Sequence, residues 1–373
     1  MPTAAPPDPA AKPPGRLLSI DAIRGFDMVW IVGGDAFVRA CAARAGWPPA
    51  GFVEEQLEHA AWEGFHFIDL IFPLFLFLVG VVLPFSLGTL RERGASGRAI
   101  AGRVARRAVL LFALGLVYNG ALRLDPGQFR LAGVLQRIAA CYAFAALATL
   151  RLGPRGLAAL AAALLLGYWA LLALVPAPGH RAGDYSMEGS LPGYVDRLLL
   201  PGRLYYGQGD NEGLLATIPA VATALIGVLA GHWLRSVAGP WPKVLGLAAA
   251  GAGCLVGGAA WARVMPVIKI LWTSPYVLLA AGWSLLLLAI FYAVIDVLHL
   301  RRWAFFFVVI GANAITIYLG AEIVDFGHVA DFFLGGLAAR AGRSGPVILT
   351  AGVLAAEWLV LLHLYRNRIF LRV

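Results

Sequence analysis

Ten stretches of about twenty apolar residues follow one another along this chain, at approximately 17–43, 65–90, 104–122, 132–150, 157–175, 213–236, 244–262, 274–297, 303–322 and 346–364. A helix of that length, rising about 1.5 Å per residue, matches the ~30 Å hydrocarbon core of a bilayer. Lipid offers a backbone no water to bond, so such segments satisfy themselves as helices. Barrel strands are excluded, because the runs are about twice a spanning strand's length and lack its alternation. The expected fold is all-α: a polytopic membrane protein of about ten transmembrane helices, one domain over 16–373 behind a short disordered tail at 1–15. That tail is rich in Pro and Ala and lacks the basic-then-apolar order of a signal peptide. Composition agrees, with 60% hydrophobic and 14% charged residues, against about 45–50% and 25% in soluble domains. Cys41, Cys141 and Cys254 sit in apolar runs without metal-ligand spacing, so neither a disulfide scaffold nor a metal is expected.

The net charge of +9 reads by position. Lys12, Arg16, the cluster from Arg91 to Arg107, Arg151, Arg155, Arg235, Lys243, Arg301, Arg302, Arg366, Arg368 and Arg372 all fall on one side of the ten-span topology. The opposite loops mix their basic residues with acids such as Glu54, Glu58, Asp184 and Asp210. The positive-inside rule then puts both termini in the cytoplasm. Topology accounts for the charge, so no nucleic-acid partner is expected. High Ala, Gly and Arg usage points to a bacterial inner membrane. Gly227/Gly231 and Gly253/Gly257 have the GxxxG spacing that lets helix backbones touch in lipid. No Walker loop, HExxH, GxSxG or dinucleotide fingerprint occurs at a credible place, which disfavours ATP-driven transport and zinc peptidase chemistry.

Ionisable groups at bilayer depth cost about 2.5–3.5 kcal/mol on insertion scales, so each is a functional candidate. The first span carries Asp21, Arg24, Asp27 and Asp35. Asp21 and Arg24 share a helix face as an ion pair, while Asp35 lies about 21 Å farther along, after the flexible Gly33-Gly34. The segment Glu58–Asp69 is the most informative in the chain. His59, at the outer rim beside Trp62, is suited to general-base work near neutral pH. Asp35 ends the preceding helix on that side and is expected to meet His59, as an orienting carboxylate or as a plain structural hydrogen bond. His66 and Asp69 form a second expected pair. Gln136-Arg137 starts the fourth span, where the arginine snorkels or holds an anionic group. Asp210-Asn211-Glu212-Gly213 reads as the acidic N-terminus of the sixth span. Lys269 precedes the eighth, and Asn313 is a buried amide in the ninth.

Several stretches together resemble the heparan-α-glucosaminide N-acetyltransferase family of transmembrane acyltransferases. They are Arg16–Gly25, His59–Gly64 leading to Asp69-Leu70-Ile71-Phe72-Pro73, Gly133–Ile138, Asn211–Leu215, Ser274–Val277 and Gly311–Ile315, in family order from Arg16 on. The resemblance implies transfer of an acetyl group from cytoplasmic acetyl-CoA, a co-substrate, to the amine of a glucosamine-type sugar across the bilayer. It matches the active-site histidine to His59 and its partner to Asp35, where the animal members look to carry asparagine. The short start of the chain makes a small amino sugar or an envelope glycan the expected acceptor.

In that chemistry His59 removes a proton from the attacking amine, either directly or by way of an acetyl-His59. Gln136 or Asn313 supplies an oxyanion donor, and Arg137, Asp69, Asn211 and Lys269 complete the candidate binding residues. Arg103, Arg106 and Arg107 are placed to attract coenzyme A phosphates. Pairing of the chain as a homodimer is compatible with this reading. The competing class is a sugar permease or channel that uses the same buried polar groups without acyl chemistry.

Overall fold

Each of the ten apolar stretches falls on helix in the computed structural model, which describes residues 17–46, 50–125, 127 and 129–371. The tail at 1–15 and Arg16 lie outside the described residues. In chain order the helices are α1 (Leu18–Val29), α2 (Asp35–Ala45), α3 (Ala50–Leu57), α4 (Ile71–Glu92), α5 (Gly97–Tyr118) and α6 (Val134–Arg151). There follow α7 (Pro154–Leu174), α8 (Leu191–Leu199), α9 (Thr217–Arg235), α10 (Pro240–Trp261) and α11 (Ser274–Phe291). The series closes with α12 (Ala304–Ala312), α13 (Ala314–Ile323), α14 (Phe326–Arg340) and α15 (Gly345–Arg366). Among the described residues β structure is limited to two isolated bridges, Glu63 with Ile268 and Arg130 with Gly202. The fold is all-α.

Seven of these helices are long and apolar enough to cross a membrane, and the bent pair α12–α13 makes an eighth candidate. The two remaining expected spans depart for identifiable reasons. The first is interrupted by a π-helical segment at Trp30–Gly34. There Gly33 adopts φ +121°, a conformation closed to side-chain-bearing residues. The third, α5, carries Arg103, Arg106 and Arg107 along its length, which dilutes its hydrophobicity. The helix α14 was not expected; Gly335, Gly336 and Arg340 hide its apolar run.

Local chemistry sets the helix ends. Ser96 and Ser190 cap α5 and α8 by accepting from the backbone N–H of Ala99 and Gly193. Proline opens α7, α10, α11 and α15, where its missing N–H costs nothing.

The centre of the bundle is the contact of α4 with α9. A Cβ on Gly227 would strike the Phe77 carbonyl, one on Gly231 the Val81 carbonyl, and one on Gly80 the Ala224 carbonyl. The first GxxxG pair therefore does bring two backbones together. The second does not: Gly253 has open space around its Cβ position and Gly257 meets only Leu278 at 3.6 Å. Gly251 and Gly258, seven residues apart, face α11 instead, where an added Cβ would come within 3.0 Å of Gly282 and Leu279. A separation of seven returns a residue to the same helix face. The outward faces carry exposed Val109, Leu245 and Val256, as lipid-facing surfaces should.

Candidate functional site

Between α3 and α4 the chain runs irregularly through Glu58–His66, then makes a single 3-10 turn at Phe67–Leu70. Asp69 in that turn has no solvent exposure, while the His59 side chain is 57% exposed. His59 Nδ1 lies 2.8 Å from Asp69 Oδ1. The other carboxylate oxygen accepts the backbone N–H groups of Ala60 (3.2 Å) and His66 (3.1 Å). Asp69 is thus held by two main-chain donors and in turn fixes the imidazole. Because an ionised carboxylate only accepts, the contact with Asp69 favours the tautomer that carries its proton on Nδ1 and leaves a lone pair on Nε2.

Lys269 enters from the opposite strand of chain. Its Nζ is 3.2 Å from Asp69 Oδ1, 2.9 Å from His59 Nδ1 and 3.3 Å from His59 Nε2. Burial lowers the Lys269 pKa, and the Asp69 charge opposes that fall without cancelling it. The two loops are tied by main chain: Gly64 N–H donates to the Val267 carbonyl at 2.9 Å, beside the Glu63–Ile268 bridge. Tyr276 OH donates to the Asp69 carbonyl at 2.8 Å, and Trp62 Nε1 to the Tyr185 carbonyl at 3.1 Å, which fastens the segment between α7 and α8 to the same rim.

This pairing corrects two sequence expectations. The partner of His59 is Asp69, not Asp35. Asp35 starts α2 just past the π-helical segment, is half-buried, and makes no hydrogen bond or ion pair with His59 among the described residues. Arg39, one turn farther on, docks α2 to the His59 loop through Glu58 Oε1 (3.3 Å) and the Leu57 carbonyl. The expected ring-to-carboxylate pair of His66 and Asp69 does not form: Asp69 accepts the His66 backbone N–H, and the His66 ring lies 2.7 Å from the Glu58 carbonyl. Spacing alone favoured i,i+3 geometry, but no regular helix spans these residues.

Arg137 is 2% exposed. It does not snorkel. Its Nη2 donates to the Gly213 carbonyl at 3.3 Å, and its guanidinium stands 4.7 Å above the Trp272 ring. Nε and Nη1 have no partner, nor does either amide atom of the neighbouring buried Gln136. Trp272 packs on Tyr276 at 5.3 Å. A chain of contacts therefore joins Arg137 to Asp69 through two aromatic rings; of these, Tyr276 lies in the Ser274–Val277 stretch, and nothing in the sequence pattern marks Trp272.

The acidic turn before α9 also differs from expectation. The helix begins at Thr217, so Asp210 and Glu212 face no helix dipole; both bind Arg130, with Nε to Asp210 Oδ2 at 2.9 Å. Despite burial, Arg130 lowers the Asp210 pKa. Asn211 is half-buried in that turn. Asn313, at the α12–α13 break, gives its amide to the Ile369 carbonyl at 3.2 Å and so is not brought to His59.

Arg103 and Arg106 are exposed on α5, whereas Arg107 turns inward over the Tyr142 ring at 4.8 Å. With Arg24 and Ser86 it lines a cavity of about 340 Å³ between α1, α4, α5, α6 and the α12–α13 break. Arg24 also forms the expected ion pair with Asp21, at 3.6 Å. A narrower apolar cavity, lined by Phe72 at the start of α4, shares Phe75, Leu135 and Ile315 with it.

The fold and site define a class: an integral membrane protein with a buried carboxylate, an exposed imidazole and a cationic inner cavity. The family model described as heparan-alpha-glucosaminide N-acetyltransferase, catalytic, matches residues 16–257, and the chain belongs to that family. Heparan-alpha-glucosaminide N-acetyltransferase of Homo sapiens is 28% identical over 419 residues, covering 96% of this chain and 60% of the relative. The Mus musculus protein of the same name is 28% identical over 374 residues, covering 83% and 54%. The chain thus spans a little over half the length of these curated relatives.

Proposed function

We propose that this protein is an acetyl-CoA-dependent acetyltransferase that modifies the amine of an amino sugar of glucosamine type on the outer face of a bacterial inner membrane. The observation that carries the reading is His59: its Nδ1 is committed to Asp69, and its exposed edge offers Nε2 to an incoming amine. In the proposed step the amine nitrogen attacks the thioester carbonyl, Nε2 takes the amine proton, and coenzyme A leaves as a thiolate that is then protonated. The imidazolium so formed is balanced by Asp69. The Lys269 ammonium, 3.3 Å from Nε2, stands where negative charge develops on the carbonyl oxygen. Gln136 and Arg137, with free donors, are further candidates for that charge. Asn211 is assigned to the acceptor side, and Asn313 to support of the inner cavity.

Entry of the donor from the cytoplasm is supported by Arg24 and Arg107 in the inner cavity, because guanidinium groups suit the phosphates of coenzyme A. Arg103 and Arg106 on the exposed face add a steering field. Basic residues concentrated on one side of the topology support cytoplasmic termini. The test is direct. Detergent-purified protein with acetyl-CoA and glucosamine should release coenzyme A thiol and yield N-acetylglucosamine, both lost in His59→Ala. Sugar uptake into liposomes with no acetyl product would instead establish a permease.

A further inference from the structure

A second cavity of about 480 Å³ lies where α13, α14 and α15 meet the end of α5. Its charged lining is acidic only: Glu322, Asp325 and Glu357, with no lysine, arginine or histidine among the described lining residues. Asp325 is occupied as the cap of α14, accepting from His328 N–H at 2.9 Å, and Glu322 takes the Tyr118 hydroxyl at 3.4 Å. Glu357 is different. It is 4% exposed, lies midway along a membrane-crossing helix, and its Oε2 has no hydrogen-bond partner. A carboxylate enclosed in this way is retained at a cost unless a cation or donor meets it.

The chemistry of the walls narrows the ligand. Among the described residues no three acidic, histidine or cysteine groups lie close enough to hold a metal ion, so a compact divalent cation does not suit the spacing. Tyr118 and Tyr318 stack at 4.9 Å with an 18° interplanar angle and present aromatic surface to the cavity. Carboxylates beside aromatic faces suit an organic ammonium on a polar ring. Ile31 and Val32 of the π-helical segment form another wall. The preceding residue, Trp30, packs against Phe67 of the Asp69 turn at 4.7 Å. One short segment therefore separates this cavity from the loop that carries His59.

We propose that this cavity is a binding site for a primary ammonium, with Glu357 as its principal counter-ion, and that it receives the amino sugar in its protonated form before transfer. The assignment of the ligand rests on the acetyltransferase reading; the cation site itself does not. Glu322 and the tyrosine pair orient the sugar ring, and the Trp30–Phe67 contact couples the filled cavity to the reactive loop.

The experiment measures equilibrium binding of radiolabelled glucosamine to the full-length protein in detergent, without acetyl-CoA. Wild type is expected to bind glucosamine at least tenfold more tightly than N-acetylglucosamine or glucose, which share the ring but lack the charge. Glu357→Gln is expected to weaken glucosamine at least tenfold and Glu322→Gln severalfold, each leaving acetyl-CoA binding unchanged. Equal binding of the charged and neutral sugars by wild type overturns the site, as does unchanged glucosamine affinity in Glu357→Gln. If that variant elutes as aggregate, Glu322→Gln decides in the same way. Glucosamine binding that depends on Glu357, in a preparation that makes no acetyl product, upholds the cation site and overturns the acetyltransferase reading alone.

Discussion

Lys269 Nζ stands 3.2 Å from Asp69 Oδ1, the same oxygen that His59 Nδ1 approaches at 2.8 Å. One buried carboxylate oxygen therefore meets both an imidazole and an ammonium. Asp69→Asn should lower acetyl transfer by about 10²–10⁴-fold, the usual worth of a positioned acid–base group and its orienter. Asp35→Asn, which touches neither group, should stay within about threefold on the same scale. Turnover of the two variants, measured side by side by thiol release, decides which carboxylate works with His59.

Removal of Arg130 should be structurally expensive. Asp210 is 3% and Glu212 7% exposed, and both face that guanidinium. Breaking a buried pair from one side costs about 3–5 kcal/mol, because the remaining charge is left without a partner. Arg130→Ala should show that loss as a lower thermal midpoint in detergent. Arg130→Ala combined with Asp210→Asn and Glu212→Gln should recover much of it.

The glycine contacts predict opposite outcomes for two like substitutions. Gly227→Ala drives a methyl into the Phe77 carbonyl and should destabilise by about 1–3 kcal/mol, as overpacking does. Gly253→Ala meets open space and should be neutral or slightly stabilising, since alanine is the better helix former by about 1 kcal/mol. Thermal melting of the two variants separates them.

Asp196 supplies a pH signature. Buried at 1% exposure on α8, it accepts the Leu214 N–H at 2.9 Å. Burial raises its pKa from the ordinary 3.8 to about 6. Between those values the folded protein binds more protons than the unfolded chain, so stability falls as pH rises through the window and levels off above it. The full change is about 3 kcal/mol. Subtracting the melting curve of Asp196→Asn from that of wild type, from pH 4 to pH 7, should leave this slope; a flat difference counts against the assignment.

Much of this architecture could be read before any coordinates. Apolar runs of bilayer length located the helices, because lipid leaves a backbone no alternative. The break after the first helix was foreshadowed by Gly33-Gly34, and His59 stood out as a titratable group at a membrane rim. The pairing of side chains was less accessible. The Asp69 carboxylate reaches His59 because the intervening residues fold back irregularly, and no periodicity encodes that path. Lys269 arrives from a loop two hundred residues away, a separation that single-sequence patterns do not bridge. The inward turn of Arg107, against the outward Arg103 and Arg106, depends on the facing Tyr142. Likewise, only the packed bundle distinguishes Gly251 from Gly253.

The link between the histidine loop and the lysine loop is made of peptide groups: Glu63 opposite Ile268 and Gly64 N–H on the Val267 carbonyl. Every amino acid brings those atoms except proline, which lacks the N–H. Apart from Gly64, whose φ of +136° shuts out a side chain, this tie makes no demand on residue type, and it holds the imidazole, carboxylate and ammonium loops together through main chain alone. If these three groups carry the proposed reaction, the entrance above them can change its outward side chains, exposed Glu63 among them, without disturbing their geometry.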